Sequence, residues 1–598
     1  MSAQVEGPTS EAPTTDEPRR PRGRAGRRFA LVVVIVVVLL LAVAGWVAFR
    51  AVQATGALMD ARAVVGSVES GVDARDADAL DAALPAAQDA TARARRASSD
   101  PVWKVVEHVP WVGDQLRAVS TVSAALDDVT QQALPAVQDV GDLVQGSALR
   151  RDDGSIDVAA LAAAAPTLSA ASDVATAAHT QVAGIDTEAL VGPLAGPVQD
   201  AEDGLATVAG LLAGVDRAAA LVPPMLGADG PRTYLVLALN SAELRSAGGI
   251  VGSILEVKAD DGHLSLGRQV STADLPGLDA SVLPLTDAEK TLYGDRLGRW
   301  IQNAVATPDF PRAAELITAR WKADVHGTVD GVVATDPVAV QAVLGALGPV
   351  QAADGSTLEA DSILQLLLRD TYRDAKNGAA ADRVFSSVAG SIFGALTGGA
   401  GTSQGLVDAI STASGEGRFR LWSAHEKEQS VLGATELGSA FLSGDHPDAV
   451  GVFLNDATEA KLDYYLTSDV TVRCSPDDAT AAVTVTLTYD PPKDVTSLPR
   501  YVVGARPGAV PAGSLATGVV FYAPVGAPLD AVTQEGVLVA GDAADEAGRR
   551  ALVATSVLAP GASTSYEMTV PVHAGAVEVW TTPTVRATGY VRASCATG

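Results

Sequence analysis

Asn240-Ser241-Ala242-Glu243-Leu244-Arg245-Ser246-Ala247-Gly248-Gly249-Ile250 is the stretch whose residue types and spacing come closest to a binding site. It sets an amide (Asn240), a carboxylate (Glu243) and a guanidinium (Arg245) just beyond a strand-length apolar run, Thr233–Leu239. Gly248 and Gly249 would let backbone N–H groups approach a ligand. The same residues also suit a Glu243–Arg245 pair closing a glycine turn. Asp309, in Thr307-Pro308-Asp309-Phe310-Pro311, is an acid at a helix start, a position that also serves as an ordinary cap. Arg369-Asp370-Thr371-Tyr372-Arg373-Asp374, with Asp382-Arg383 beyond it, is a charge-rich junction between apolar segments. A solvated surface is the default for such a run. Arginines beside acids also suit phosphate or pyrophosphate, because each guanidinium offers two parallel hydrogen bonds. If a phosphorylated ligand binds, Arg245, Arg373 and Arg383 should converge on one pocket.

Other chemistries lack their residues. The seven histidines are scattered, with no HxH or HExxH spacing, so no metal site is expected. No phosphate-binding GxxxxGK[ST] loop occurs. Gly401-Thr402-Ser403-Gln404-Gly405 fits the GxSxG pattern of serine hydrolases. That elbow needs a strand before it and a helix after it, whereas Ser391–Leu396 reads as the end of a helix. A linker is the expectation there. With 43 Lys and Arg against 71 Asp and Glu, the net charge of −28 repels phosphate backbones and argues against nucleic-acid partners.

These residues need a scaffold, and the texture of the chain predicts one. Strand-like runs at Thr233–Leu239, Ile250–Val257, Leu264–Val270 and Gly327–Thr335 alternate with helical patterns at Phe310–Lys322, Pro337–Leu347, Ser362–Tyr372 and Ala380–Leu396. This predicts a central α/β domain over residues 226–455. Residues 456–598 carry seven short alternating runs without helices between them, an antiparallel β-sandwich pattern. Cys474 and Cys595 lie near its two ends, and outside the cytoplasm they should pair as a disulfide. Residues 50–225 are rich in Ala, Val, Leu, Asp and Gln at helical spacing, an α-helical stalk or bundle cut into pieces by Pro85, Pro101, Pro110, Pro135, Pro166, Pro193 and Pro197. Trp103 and Trp111 stand out in it, either pinning helices together or touching lipid or a partner.

The N-terminus sets the topology. Residues 1–28 read as a disordered cytoplasmic tail that ends in Arg19, Arg20, Arg22, Arg24, Arg27 and Arg28. The uncharged stretch 29–49 then spans about 31 Å as a helix, enough for a bilayer core. Its length favours a signal anchor over a cleaved signal peptide. Six arginines before it and Arg50 after it predict a single-pass plasma-membrane protein, with a cytoplasmic N-terminus and an extracytoplasmic C-terminus.

Several blocks carry a resemblance: NSAELRSAGGIVGS, TPDFPRAAEL, VDGVVATDPVAVQAVLGALGPV, and Asn455 with Lys461-Leu462-Asp463-Tyr464-Tyr465-Leu466. Together these resemble the bacterial membrane-anchored family of domain of unknown function 4012, from about residue 100 to the C-terminus. The resemblance implies a single-span envelope protein associated with surface polysaccharide. The order of the DGVVATD strand, the LGALGPV helix, a turn at Asp354-Gly355 and a helix leading to Arg373 and Arg383 is also similar to LytR–CpsA–Psr glycopolymer transferases, without their dense arginine series. The resulting expectation is a protein that binds or organises envelope polysaccharide or its lipid-linked precursor, with no cofactor. The alternatives are a non-catalytic scaffold for other envelope proteins, and a transferase. The transferase would use Arg245, Arg373 and Arg383 on pyrophosphate, with Asp309 or Asp374 near a divalent cation.

Overall fold

Small side chains let helices approach closely, and the N-terminal part of the chain is built in that way. The computed structural model describes residues 24–73, 77–136, 138, 151, 153–375, 377–475, 479–504, 510–529 and 531–595. These fall into two units, one within Met1–Asp139 and Thr167–Gly214, the other within Val140–Pro166 and Val215–Gly598. The expected tail lies outside the described residues up to residue 23. From Arg24 the chain is already helical, five residues inside that tail.

In the first unit, α1 (Arg24–Asp73) carries the apolar stretch, and Val32–Leu41 are exposed along it. Helix α2 (Ala77–Ser98) packs antiparallel to α1. Arg93 donates to Asp60 at 3.1 Å, while Arg50 donates to the Arg96 carbonyl at 3.1 Å. Asp100 caps the short helix α3 (Pro101–Val106) by accepting from Val102 N at 2.9 Å, with Pro101 at the first turn, where its missing N–H costs nothing. Helix α4 (Val112–Asp128) then runs back along α2, with Arg95 on Asp127 at 3.1 Å and Trp103 Nε1 on the Leu116 carbonyl at 3.3 Å. Ala54, Ala97, Trp103, Leu116 and Val119 form one buried cluster.

Several of the prolines expected to end helices do not. Pro85 lies inside α2, Pro166 inside the helix Val158–Ala183, and Pro197 inside Gly192–Met225. A lost backbone hydrogen bond is tolerated where the rest of the helix buries a face, as α2 does with Ala87, Ala90, Ala94 and Ala97. Val158–Ala183 and Gly192–Met225 are also long and apolar enough to cross a membrane. Their Ala171, Ala175, Ala178, Val182, Leu205 and Leu212 share a buried cluster with Ala118, Val122 and Ala125 of α4.

The second unit begins earlier than the 225/226 boundary. Ile156 N donates to the Gly262 carbonyl at 3.0 Å, and Arg151 pairs with Asp261 at 2.9 Å. Its first sheet holds β1 (Arg232–Asn240), β2 (Ile250–Asp260), β3 (His263–Ser271) and β4 (Gly331–Thr335), in the order β3-β2-β1-β4, and then the edge strand Phe419–Ser423. Only β1 and β4 pair in parallel, so the sheet is mixed. The crossover between them contains the helix Phe310–Asp324, which packs Phe310, Ile317 and Trp321 under the sheet residues Leu235, Leu237, Ile254 and Val332.

Two further sheets, of five and six strands, share one apolar cluster, as the two layers of a sandwich do. The cluster joins Val483, Val485, Leu487 and Met568 of one sheet to Val452, Leu454, Val519 and Phe521 of the other. The strand Val450–Asp456 straddles the expected 455/456 boundary. It pairs antiparallel with Leu515–Val525 and parallel with Ala576–Thr581, so the β-rich part starts earlier and is not purely antiparallel. The Cys474–Cys595 disulfide is formed, with Cα atoms 5.5 Å apart. It ties the end of strand Leu466–Cys474 in one sheet to the residue after strand Tyr590–Ser594 in the other.

Candidate functional site

The loop after β1 is a joint. Glu243 is buried between two cations: Arg245 Nη2 donates to its Oε1 at 3.0 Å, and Lys461 Nζ donates to its Oε2. Burial alone would raise the Glu243 carboxyl, but Lys461 and Arg245 hold it below its ordinary value. Arg245 is itself fully engaged. It also donates to the carbonyls of Leu244 (2.7 Å) and Asp456 (3.2 Å) and to Asn303 Oδ1 (2.9 Å). Asp463 Oδ2 accepts from Leu244 N at 2.7 Å, and burial beside Asp456 raises its carboxyl well above the usual range. Asp456 accepts from Thr458 N (3.0 Å) and Glu459 N (2.6 Å), and burial with Glu243 nearby pushes it up to about 6. Three carboxyls and two cations thus meet in one buried network. It fuses the AELRSAGG block to the KLDYYL block.

The glycines of the loop serve close packing rather than ligand access. A Cβ on Gly249 would fall 2.5 Å from the Asn240 carbonyl carbon. Gly248 sits at φ +101°, against the Pro583 ring. Asn455 locks the loop from the other side, accepting from Ser246 N at 3.2 Å and donating to Ser246 Oγ at 3.1 Å. Asp309 stands at the N-cap of the helix Phe310–Asp324, but its side chain makes no capping hydrogen bond. Its Oδ1 accepts from Leu442 N, Ser443 N and Ser443 Oγ at 3.0–3.1 Å, anchoring a loop, and burial raises its carboxyl. Among the described residues, no group of three or more His, Cys, Asp or Glu is placed to hold a metal. The GTSQG segment runs from one helix into another, with Thr402 accepting from Gly405 N at 3.1 Å as the cap, so the strand of a nucleophile elbow is missing.

The charge-rich junction opens on a cavity of about 390 Å³ lined by Arg369, Tyr372, Arg373, Lys461, Tyr465 and Asp494, with Leu368, Leu498 and Val502 as its apolar wall. Arg373 is half-exposed and pairs with the exposed Asp374 at 2.9 Å, while Arg369 pairs with Asp370 at 2.9 Å. Asn240 Nδ2 donates to Tyr372 OH, so the joint reaches the cavity wall twice, through Asn240–Tyr372 and through Glu243–Lys461. Of the three arginines expected to converge, only Arg373 lines this cavity. Arg245 is buried behind it, and Arg383 lies exposed on the helix Gly378–Thr397. Arg369, Lys461 and Tyr465 were absent from the candidate set. Lys461 meets Arg373 only through the fold, and no local spacing announces it.

Residues 229–372 match the family described as "Protein of unknown function (DUF4012)", a stretch that contains the first three of the four sequence blocks. Likeness to LytR–CpsA–Psr transferases is not shown by this match. No curated protein and no solved structure matches the chain.

Proposed function

We propose that this is a single-pass membrane protein of the cell envelope whose second unit binds an anionic polysaccharide or its lipid-linked, phosphorylated precursor in the Arg369–Arg373–Lys461 cavity. The observation that carries this reading is three cations beside two tyrosines in one cavity, on a chain of net charge −28. The background field repels an anion, so capture needs a local positive site. The surface pairs Arg369–Asp370 and Arg373–Asp374 are weak, on the order of 0–1 kcal/mol each, and a phosphate can displace the acids. Tyrosine rings suit the apolar faces of sugars. The stretch 29–49, with arginines before it and Val32–Leu41 exposed along it, serves as the membrane anchor. Val158–Ala183 and Gly192–Met225 instead bury small residues in the helical unit, which favours a single span.

The test is equilibrium binding of the full chain in nanodiscs to a lipid-linked pyrophosphoryl oligosaccharide, to a polyanionic wall glycan and to a neutral glycan. Arg373→Ala should weaken binding of the anionic ligands by about 10- to 150-fold, from ~1.5–3 kcal/mol per charged hydrogen bond. Equal binding by wild type and an Arg369→Ala/Arg373→Ala double variant would overturn the reading. A scaffold role is the second reading. It is favoured by the strand Val537–Leu538, whose two side chains are each 70% exposed at the end of the five-stranded sheet, an edge open to another chain.

A further inference from the structure

The two tryptophans of Pro101-Val102-Trp103-Lys104-Val105-Val106-Glu107-His108-Val109-Pro110-Trp111 have opposite fates. Trp103 is fully buried between α1, α2 and α4, where it pins the helices. Trp111 is 65% exposed, and so are Val105 (72%) and Val109 (46%) on the same turn. Trp111 is also held at φ +67°, a conformation a bulky side chain rarely adopts. Gly113 donates to the Val109 carbonyl at 2.7 Å just below it, at a site where a Cβ would lie 2.1 Å from the Glu107 carbonyl oxygen. A strained backbone that turns an aromatic ring outward points to a use for that ring.

The helix directions say where the ring sits. Helix α2 descends along α1 towards the apolar stretch, and α4 climbs back, so the turn between them lies at the end of the hairpin nearest the stretch. Asp100, at the start of that turn, accepts from Trp46 Nε1 at 3.1 Å and faces Arg50 at 3.4 Å. Trp103 packs beside Ala54 and bonds Leu116. Trp111 precedes Leu116 by five residues, about 7–8 Å of helix rise towards the stretch. That brings it level with Phe49, the last residue of the uncharged run.

We propose that this turn lies in the headgroup layer of the bilayer crossed by residues 29–49, with Val105, Val109 and Trp111 against lipid. The inference rests on reading that stretch as a membrane span. An indole belongs at this depth because its ring is apolar and its N–H is wet, and Trp46 and Trp111 then form an aromatic girdle on two elements of one unit. The turn keeps the helical hairpin upright on the membrane through a second, non-covalent foothold.

The test uses the full chain in phosphatidylcholine/phosphatidylglycerol liposomes, with the native cysteines left in their disulfide and one added cysteine carrying an environment-sensitive dye. The labelled positions are Val109→Cys and Val105→Cys on the turn, Val38→Cys within the span, and Met59→Cys on α1, about 15 Å beyond Phe49. Dyes at 105 and 109 should be quenched by headgroup-level spin-labelled lipid at least threefold more than the dye at 59, and Trp111→Ala should at least halve that difference. Quenching at 38 by deep spin labels with none at 105 and 109 would overturn the proposal and leave the span intact. Absence of quenching at 38 would overturn the span reading itself. Dyes at 105 and 109 shielded from aqueous iodide yet untouched by lipid quenchers would mean a protein covers the turn, and would equally refute a lipid contact.

Discussion

Glu243→Ala tests whether the loop after β1 is held by charge. The substitution leaves Arg245, with its side chain 4% exposed, and Lys461 without the carboxylate between them. Removing one partner of a buried pair costs about 3–5 kcal/mol, because the remaining charge stays desolvated. Asp456, pushed up only to about 6, is already largely ionised at pH 7 and leaves the two cations one buried counter-charge, which places the loss near ~3 kcal/mol. At roughly 2 °C per kcal/mol for a large unit, that lowers the Tm by about 6 °C. Asp463→Asn is the control. Burial and Asp456 raise its carboxyl well above the usual range, and an amide oxygen can still accept from Leu244 N. Its cost should stay below about 1 kcal/mol. Thermal melts of the full chain, with hydrogen exchange of peptides covering 240–250 and 456–466, read both variants. Exchange should rise in both peptides for Glu243→Ala and stay near wild type for Asp463→Asn. If Glu243→Ala costs under 1 kcal/mol, or the two variants cost the same, the reading that Glu243 holds the loop by charge and Asp463 by a hydrogen bond is refuted.

Three more expectations can be measured on the same protein. Cys595→Ser opens a 121-residue link and should destabilise the second unit by about 2–4 kcal/mol, seen as a lower Tm together with one reactive thiol at Cys474. Glu546 is pushed up to about 7 by burial and accepts a hydrogen bond from Tyr522, which in turn meets Tyr293. A carboxyl raised in the folded state gives stability that is fully present below its unfolded value near 4.5 and is lost as pH rises through about 7. Glu546→Gln should therefore flatten the pH dependence of Tm between pH 5 and 8, and an unchanged profile would count against the buried triad. Gly249→Ala forces a methyl group to within 2.6 Å of the Asn240 carbonyl oxygen and should cost about 1–3 kcal/mol, measured by denaturant unfolding.

How much was legible follows from the range of each interaction. Arg232–Asn240, Ile250–Asp260 and Gly331–Thr335 announce themselves by short apolar runs bounded by turns, and the Asp261-Gly262 turn falls at φ +46° and +79° as the hairpin signal requires. The Cys474–Cys595 pairing was legible because only two cysteines exist. Val450–Asp456 was not recognised as sheet, because nothing within seven residues tells which sheet a buried strand joins. The edge strand Phe419–Ser423 was missed for a related reason. Its alternation is broken by Arg420, which is buried because it donates to Ser439 Oγ and to the Ala247 carbonyl. Proline rules failed at Pro85, Pro166 and Pro197, where packing outweighs one missing hydrogen bond.

The AELRSAGG loop was the right place with a different role. Read locally, its amide, carboxylate and guanidinium look like ligand contacts, since such residue types beyond a strand end often are. In the fold each acts one contact behind the cavity wall. Asn240 holds the hydroxyl of Tyr372, Glu243 holds the ammonium of Lys461, and Arg245 neutralises Glu243 while binding the carbonyls of Leu244 and Asp456. A lysine in a cavity wall keeps one position only if its long stem is fixed, and the buried Glu243 carboxylate, itself paired with Arg245, fixes it. This explains why the blocks around 243 and 461 occur together in the sequence although 218 positions separate the two charges. Neither block can fold its charged residues into the interior without the other.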